Sequence, residues 1–154
     1  MPDRILGIVV SGSQVIAVGL QRAGSKFELI HNQKMKIQDG DRGIAYSIMH
    51  SRLRAMLQEN SYDVVAVKGS SVSLAGTKQA HLDAAELRGA VLAACAAECT
   101  VVCEKRAALS RNFGNRKADE YLTDDQFWKN ELIGDLPKGE REAALFALSA
   151  GNAK

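Results

Sequence analysis

The amino-acid sequence predicts an α/β fold in which helices flank a mixed five-stranded sheet, and the order of the elements carries this prediction. Residues 4–11, 14–21 and 25–37 are apolar or alternating segments joined by short turns, which is typical of three consecutive antiparallel strands. Residues 62–67 and 100–103 are short apolar segments, and each follows a helical segment long enough to cross over to a parallel strand. Three antiparallel strands followed by two parallel ones give a mixed sheet, and helices on its faces complete the α/β class.

Turn and helix signals justify the first half of this order. Gly12-Ser13 suits a two-residue hairpin turn, and Ala23-Gly24-Ser25 suits a second turn. Asp41 stands where a helix N-cap belongs, and apolar residues then recur every three or four positions over residues 42–60. The strand at 62–67 is apolar on both faces, as expected of a parallel strand between helix layers.

The second half begins with a loop and a long helix. Residues 69–77 are rich in Gly, Ser and Thr and predict a loop. Residues 78–97 predict a helix, whose many alanines favour close approach to the sheet or to a second copy of the chain, so we expect a homodimer. The remaining segments are predicted as a short helix at 105–110, a basic glycine-broken loop at 111–117, a helix at 119–130, a linker at 134–139 and a closing helix at 140–150.

The composition is that of an ordinary globular domain. The 154 residues are 46% hydrophobic and 25% charged, which suits one domain over residues 1–154 and argues against disorder. The formal net charge of +2 neither favours nor excludes a nucleic-acid partner. No apolar run approaches the roughly 20 residues that span a bilayer, and no signal peptide is recognisable. We therefore expect a cytoplasmic protein without a membrane partner.

The cysteines look at first like a metal-binding ladder, because Cys95, Cys99 and Cys103 are spaced four apart. Cys95 ends a predicted helix, whereas the other two bracket a predicted strand, so one helix cannot present all three. No nearby histidine completes a tetrahedral zinc set. Free cysteine is among the most buried residue types, and we expect all three in the core.

Basic residues supply a candidate nucleic-acid-binding surface. Phe113 lies among them in the sequence, where its ring is available to stack on a base. The hypothesis requires that the cations share one face, and the alternative is an ordinary polar loop surface. The candidates are Lys68, Lys78, Arg111, Arg116 and Lys117.

Four segments resemble the ribonuclease H-like fold, and in detail the RuvC-type Holliday-junction resolvases. They are the strand Ile5-Leu-Gly-Ile-Val9 with its glycine turn, the strand Val64-Val-Ala-Val-Lys68, the helical stretch Ala85–Ala94 with its Arg-Gly step, and the stretch from Val101 to Ala118. The resemblance covers most of the chain and implies the ribonuclease H-like fold and a dimer. It also implies a site in which four carboxylates hold two divalent ions around the scissile phosphate.

Most of the carboxylates that this resemblance implies are replaced in this chain. Val9 and Lys68 stand where two strands carry acids, and Gly139 and Glu142 stand where the last helix carries an acid pair. At 4 Å and an effective dielectric of about 20, an ammonium would oppose a divalent ion by roughly 8 kcal/mol. We therefore predict no catalytic metal and no cofactor, with Lys68 paired to Glu142 or Glu140. If the register is off by one, Lys68 is instead an ordinary surface residue at a strand end.

Two functional hypotheses follow from these residues. The leading one is a catalytically inactive ribonuclease H-like domain that acts as a binding or structural module, with DNA, RNA or an unidentified protein as its partner. The alternative is a metal-dependent nuclease with a rearranged carboxylate set. That set is Glu86, Glu104, Glu140 and Glu142.

Overall fold

The centre of the protein is one mixed sheet, seen in a computed structural model that describes residues 1–114 and 116–153. Its strands are β1 (Arg4–Val10), β2 (Gln14–Ala23), β3 (Lys26–Lys36), β4 (Val64–Lys68), β5 (Thr100–Glu104) and β6 (Leu132–Ile133). They lie in the order β5-β4-β1-β2-β3-β6. Neighbours β1, β2 and β3 are antiparallel, whereas β4 runs parallel to β1 and to β5. The predicted α/β class and mixed sheet are confirmed.

Helices cover both faces of this sheet. They are α1 (Arg42–Glu59), α2 (Gln79–Ala96), α3 (Ser110–Phe113), α4 (Ala118–Leu122), α5 (Asp125–Glu131) and α6 (Arg141–Asn152). Helices α1 and α2 pack on one face, where Leu53 and Val91 join the same buried cluster as Leu6 and Ile8. Helix α6 packs on the other face with the C-terminal helices. Successive β1 side chains pack alternately in the buried clusters on the two faces of the sheet, because successive residues of a strand point to opposite faces.

The central helix α6 approaches the sheet closely at Gly7. A Cβ atom placed on Gly7 would lie 1.9 Å from the carbonyl oxygen of Ala143, so only glycine fits between β1 and this helix. Eight consecutive residues of α6, from Arg141 to Leu148, are mostly or fully buried apart from the half-buried Glu142. The contact fixes the first turns of α6 directly over the middle of the sheet.

The C-terminal half differs from the prediction in three places. The sheet has a sixth strand, β6, which pairs in parallel with β3 through Phe27 and Glu28. Two residues are too few to show a period, so no sequence signal marks this strand. The helix predicted at 119–130 is split into α4 and α5, because the Asp124 carboxylate caps α5 by accepting from the backbone N–H groups of Gln126 and Phe127. Part of the predicted loop at 111–117 is helical, in α3.

The local prediction at Asp41 is confirmed, and the one for the cysteines is wrong in part. Asp41 caps α1 through the backbone N–H of Ile44, and Trp128 is buried. Cys95 is buried, which raises the pKa of its thiol to about 12. Cys103 is exposed, because β5 is an edge strand of the sheet and leaves the side chain of Cys103 open to solvent.

The described part of the chain contains no helix whose length and apolarity would let it cross a bilayer.

Candidate functional site

A row of five paired residues crosses the sheet close to the carboxyl ends of its parallel strands. Ile16 pairs with Val9 on one side and with Lys34 on the other. Lys68 pairs with Glu104, and continuing the β1–β4 register one step beyond its Ile8–Val67 pair places Val9 beside Lys68. Since directly paired residues point to the same face, this row turns its side chains toward α6. Val9 and Ile16 pack there against the core cluster that α6 shares.

The first turn of α6 meets this row through Glu142. One carboxylate oxygen, Oε1, accepts a hydrogen bond from Lys68 Nζ at 2.8 Å. The other, Oε2, lies 3.2 Å from Arg106 Nε, and Arg106 also pairs with Asp119. The pairing of Lys68 with Glu142 expected from the sequence is therefore present. Both oxygens of Glu142 face cations, so its charge is neutralised within the protein.

A second ion pair stands at the other end of the row. Glu140, which is only 5% exposed, lies with Oε1 3.3 Å from Lys34 Nζ. Its second oxygen, Oε2, is buried and makes no hydrogen bond to any described residue. Gly139 precedes it, and a Cβ atom there would lie 3.3 Å from the same Lys34 ammonium. The two lysines thus flank the apolar pair Val9 and Ile16, each paired with a glutamate at the start of α6.

The side chains at these positions do not supply the oxygen ligands that a pair of divalent ions requires. Magnesium binds through carboxylates and other oxygens, yet Val9 and Gly139 provide no side-chain donor and Lys68 provides a cation. The buried oxygen Oε2 of Glu140 is a single ligand. Among residues 1–114 and 116–153, no group of three or more His, Cys, Asp or Glu side chains is arranged to hold a metal ion.

The rearranged carboxylate set is not brought together either. Glu86 lies on α2, on the opposite face of the sheet from α6, and accepts a hydrogen bond from Tyr46 Oη at 3.2 Å. Glu104 shares the row with Lys68, whereas Glu140 and Glu142 are held by Lys34 and Lys68. The four glutamates are therefore divided between two faces.

Lys68 lies at the end of β4 and is paired with Glu142, whereas the other candidate cations occupy the segments that follow β4 and β5. Lys78 is exposed immediately before α2, and Arg111 is exposed on α3. Lys117 is exposed and lines one shallow cavity with Arg106. Arg116 differs, because it pairs with Asp124 at 3.0 Å and stacks over a tyrosine ring, so its guanidinium is held in the fold.

The aromatic candidate Phe113 does not present its ring to a base, contrary to the prediction. Its ring centroid lies 5.4 Å from that of Tyr121 and 5.8 Å from that of Phe127. Trp128 extends the same aromatic cluster. The sequence showed Phe113 only as an aromatic in a basic segment, and the packing partners lie on α4 and α5.

Two residues of this region, Lys34 and Arg88, were not predicted as site residues from the sequence. Lys34 lies on a strand whose alternation is imperfect, and only the hairpin register places it in the row with Val9. Arg88 belongs to the Arg-Gly step that supported the resemblance, but its spacing indicated no role. In the fold it is 9% exposed, and its Nε donates to the carbonyl oxygen of Lys68 at 2.9 Å.

Comparison with solved structures finds the same fold in resolvases. No protein-family model and no curated protein matches the sequence. A Thermus thermophilus RuvC structure is similar with a TM-score of 0.76 at 16% identity, over 98% of each chain. T. thermophilus RuvC in complex with a Holliday junction substrate gives 0.75 at 15% identity, over 96% of this chain and 92% of that one.

A yeast mitochondrial Holliday junction resolvase is similar with a TM-score of 0.63 at 12% identity. The match covers 96% of this chain and 77% of the resolvase. At such identities the likeness is one of fold. The element order, the sheet topology and these neighbours agree, and the chain has the ribonuclease H-like fold in its RuvC-like form.

Proposed function

We propose that this chain is a single RuvC-like domain that binds nucleic acid without cleaving it. The observation that carries the proposal is the 2.8 Å ion pair between Lys68 and Glu142, which stands beside Val9 at the carboxyl edge of the sheet. The resemblance puts metal-binding acids at these positions. In this chain the ammonium of Lys68 neutralises Glu142, the remaining acid, and the apolar Val9 lies beside Lys68 on the adjacent strand.

Electrostatics explain why this arrangement opposes metal-dependent cleavage. The ammonium of Lys68 lies 2.8 Å from one carboxylate oxygen of Glu142, and the guanidinium of Arg106 lies 3.2 Å from the other. A divalent ion beside Glu142 would have to displace these cations or be repelled by them. Each cation repels a divalent ion at 4 Å by roughly 8 kcal/mol at an effective dielectric of about 20. Without two bound ions, the usual route for activating water and stabilising the leaving oxygen is absent.

The same edge supports binding to a polyanion. In open α/β sheets, ligands bind outside the carboxyl ends of the strands. Lys78, Arg111 and Lys117 are exposed on the segments that follow those ends, and Arg106 lies between Lys117 and Glu142. One of the similar structures, T. thermophilus RuvC, was solved with a Holliday junction substrate. Nucleic acid is therefore the partner that we propose.

The direct test is fluorescence anisotropy with single-stranded, duplex and four-way-junction DNA, followed by gel analysis of the same samples. We expect binding that weakens steeply with salt, is equal in EDTA and in Mg²⁺ or Mn²⁺, and leaves the DNA intact. Replacing both Arg111 and Lys117 by alanine should reduce the slope of log affinity against log salt by about 0.9 for each duplex phosphate that the variant no longer neutralises. The charge-matched control replaces Arg52 and Lys129, which are exposed on α1 and α5.

Three outcomes of this test contradict the proposal in whole or in part. Cleavage that requires Mg²⁺ or Mn²⁺ would favour the metal-dependent nuclease, and variants of Glu104, Glu140 and Glu142 would then identify its ligands. No binding at low salt would assign the domain a role in protein interaction. Equal effects of the test and control variants would place the DNA elsewhere on the surface.

We also propose that the domain forms a homodimer through α2. The outer face of this helix exposes Leu82 above the small residues Ala85, Gly89 and Ala93, which let a second backbone approach closely. We expect a dimer by sedimentation velocity and a monomer for Ala93→Glu, because a buried carboxylate without a partner opposes association. Ala55→Glu, at an exposed position of α1, is the control and should leave the dimer intact. A wild-type monomer at high micromolar concentration would contradict the dimer.

A further inference from the structure

Arg88 carries a buried positive charge without a counter-ion in the described chain. It is 9% exposed, its Nε donates to the carbonyl oxygen of Lys68, and its Nη1 donates to Ser70 Oγ. Both acceptors are neutral. Among residues 1–114 and 116–153, the other buried charges are those of Arg141 and Glu140, and each has a partner of opposite sign. Burial lowers the pKa of Arg88 from its usual value, as expected of a cation that is removed from water.

Arg88 lines a cleft at the carboxyl edge, on the α2 side of the sheet. The β1–β2 turn forms one wall of the cleft, and the first turn of α2 and the loop after β4 form the rest. This loop contributes three hydroxyl groups, from Ser70, Ser71 and Ser73. Hydroxyl groups donate hydrogen bonds to an anion readily, so the loop adds donors to the charge of Arg88.

The first turn of α2 presents further donors to this cleft. Its N-cap residue is Lys78, whose side chain has no acceptor, and its first turn contains no acidic residue. The N-terminal partial charge of this 18-residue helix is therefore not compensated by a side chain. His81 Nδ1 accepts from the backbone N–H of Lys78 at 3.2 Å, so the ring proton is on Nε2 and available as a donor. The nearest acid on the helix, Asp83, lies 3.6 Å from Arg42 and is neutralised by it.

We propose that this cleft binds a phosphate group, with Arg88 as its buried cation and the serine loop and the first turn of α2 as its hydrogen-bond donors. A phosphate would supply the missing counter-charge of Arg88 and accept hydrogen bonds from backbone N–H groups in the first turn of α2. The cleft opens on the same sheet edge as the Lys68–Glu142 pair. If the phosphate belongs to a phosphodiester, the inference rests on the proposed function. Binding of free phosphate does not depend on that function.

The test uses the full chain, inorganic phosphate and a short single-stranded DNA. Ser71→Asp places a negative charge in the cleft at an exposed loop position. The control Ser51→Asp makes the same substitution at an exposed position of α1. Phosphate, titrated at constant ionic strength and followed by amide NMR, should shift the signals of Ser70, Ser71 and Ala80 saturably. Ser71→Asp should weaken this binding at least about tenfold, because it opposes two like charges. Ser51→Asp should bind as the wild type does.

The two phosphate sources give distinguishable outcomes. Loss of phosphate and DNA affinity in Ser71→Asp alone would establish a phosphodiester contact. Phosphate binding with no DNA binding would keep the cleft and overturn the proposed function. DNA binding that Ser71→Asp leaves unchanged, with no saturable phosphate shifts in the cleft, would overturn this inference and leave the proposed function standing.

Discussion

Gly7→Ala is expected to abolish the native fold. The new Cβ atom would lie 1.9 Å from the carbonyl oxygen of Ala143. The backbone fixes the positions of both atoms, so no side-chain rotation can relieve the clash. Helix α6, which is mostly buried, would have to move away from β1 and would lose its packing against the sheet. The expected loss of stability exceeds about 4–5 kcal/mol, the range that is exceptional for a single substitution. Urea unfolding followed by circular dichroism measures it.

Gly89→Ala is the matched control, because a Cβ atom there meets nothing within 4 Å. It lies inside α2, where alanine is favoured over glycine by about 0.5–1 kcal/mol, so this variant should be slightly more stable than the wild type. Both variants are compared at dilute concentration, where association through α2 does not contribute. A Gly7→Ala protein with wild-type unfolding would show that β1 and α6 do not touch as the structure has them.

The double variant Val9→Asp, Lys68→Glu is expected to make the stability of the protein depend on divalent metal. It removes the cation and places two new carboxylates beside Glu142, on adjacent strands of the same row. A bound ion stabilises the fold by about 2.7 kcal/mol when its concentration is 100 times its dissociation constant. Thermal unfolding with Mg²⁺, Mn²⁺ or EDTA measures the effect, and the wild type should show none.

Without metal, the same double variant should be more stable in mild acid than at neutral pH. Three neighbouring carboxylates repel, so the folded state raises the pKa of at least one of them above its unfolded value. The resulting destabilisation is present above the folded pKa and disappears as the pH falls below the unfolded one. Thermal unfolding in EDTA across this pH range measures the effect.

The neutral variant Val9→Asn, Lys68→Gln has nearly the same shape and is the control for both effects. It should respond neither to metal nor to acid in this way. Equal responses of the two variants, or stabilisation of the wild type by the metals, would contradict the assignment of Lys68 as the group that excludes metal.

Much of the fold could be predicted from the sequence because its signals are local. The change from alternating to helical spacing after Asp41 located α1, and the carboxylate of Asp41 caps that helix as expected. The pairing of Lys68 with Glu142 also followed from sequence, since the resemblance put both positions in one site. Signals failed where an element was very short, as in β6, or where a single cap divided a helix, as Asp124 does.

The candidate site depended more on long-range contacts. Arg116 and Phe113 looked available for nucleic acid, but α4 and α5 engage both, through Asp124 and the aromatic cluster. Lys34 became part of the site only through the register of two hairpins. Arg88 became notable only because its surroundings bury it without an acid.

The sequence by itself determined most of the element types, the fold class and the replacement of the expected acids at Val9 and Lys68. These properties depend on side-chain periodicity and residue identity, which are written along the chain. Only the tertiary structure decided which cations are neutralised, which remain exposed, and that Arg88 faces a cleft lined by donors. Charge compensation and burial depend on residues far apart in sequence, such as Lys68 and Glu142, that come together only when the sheet and α6 have packed.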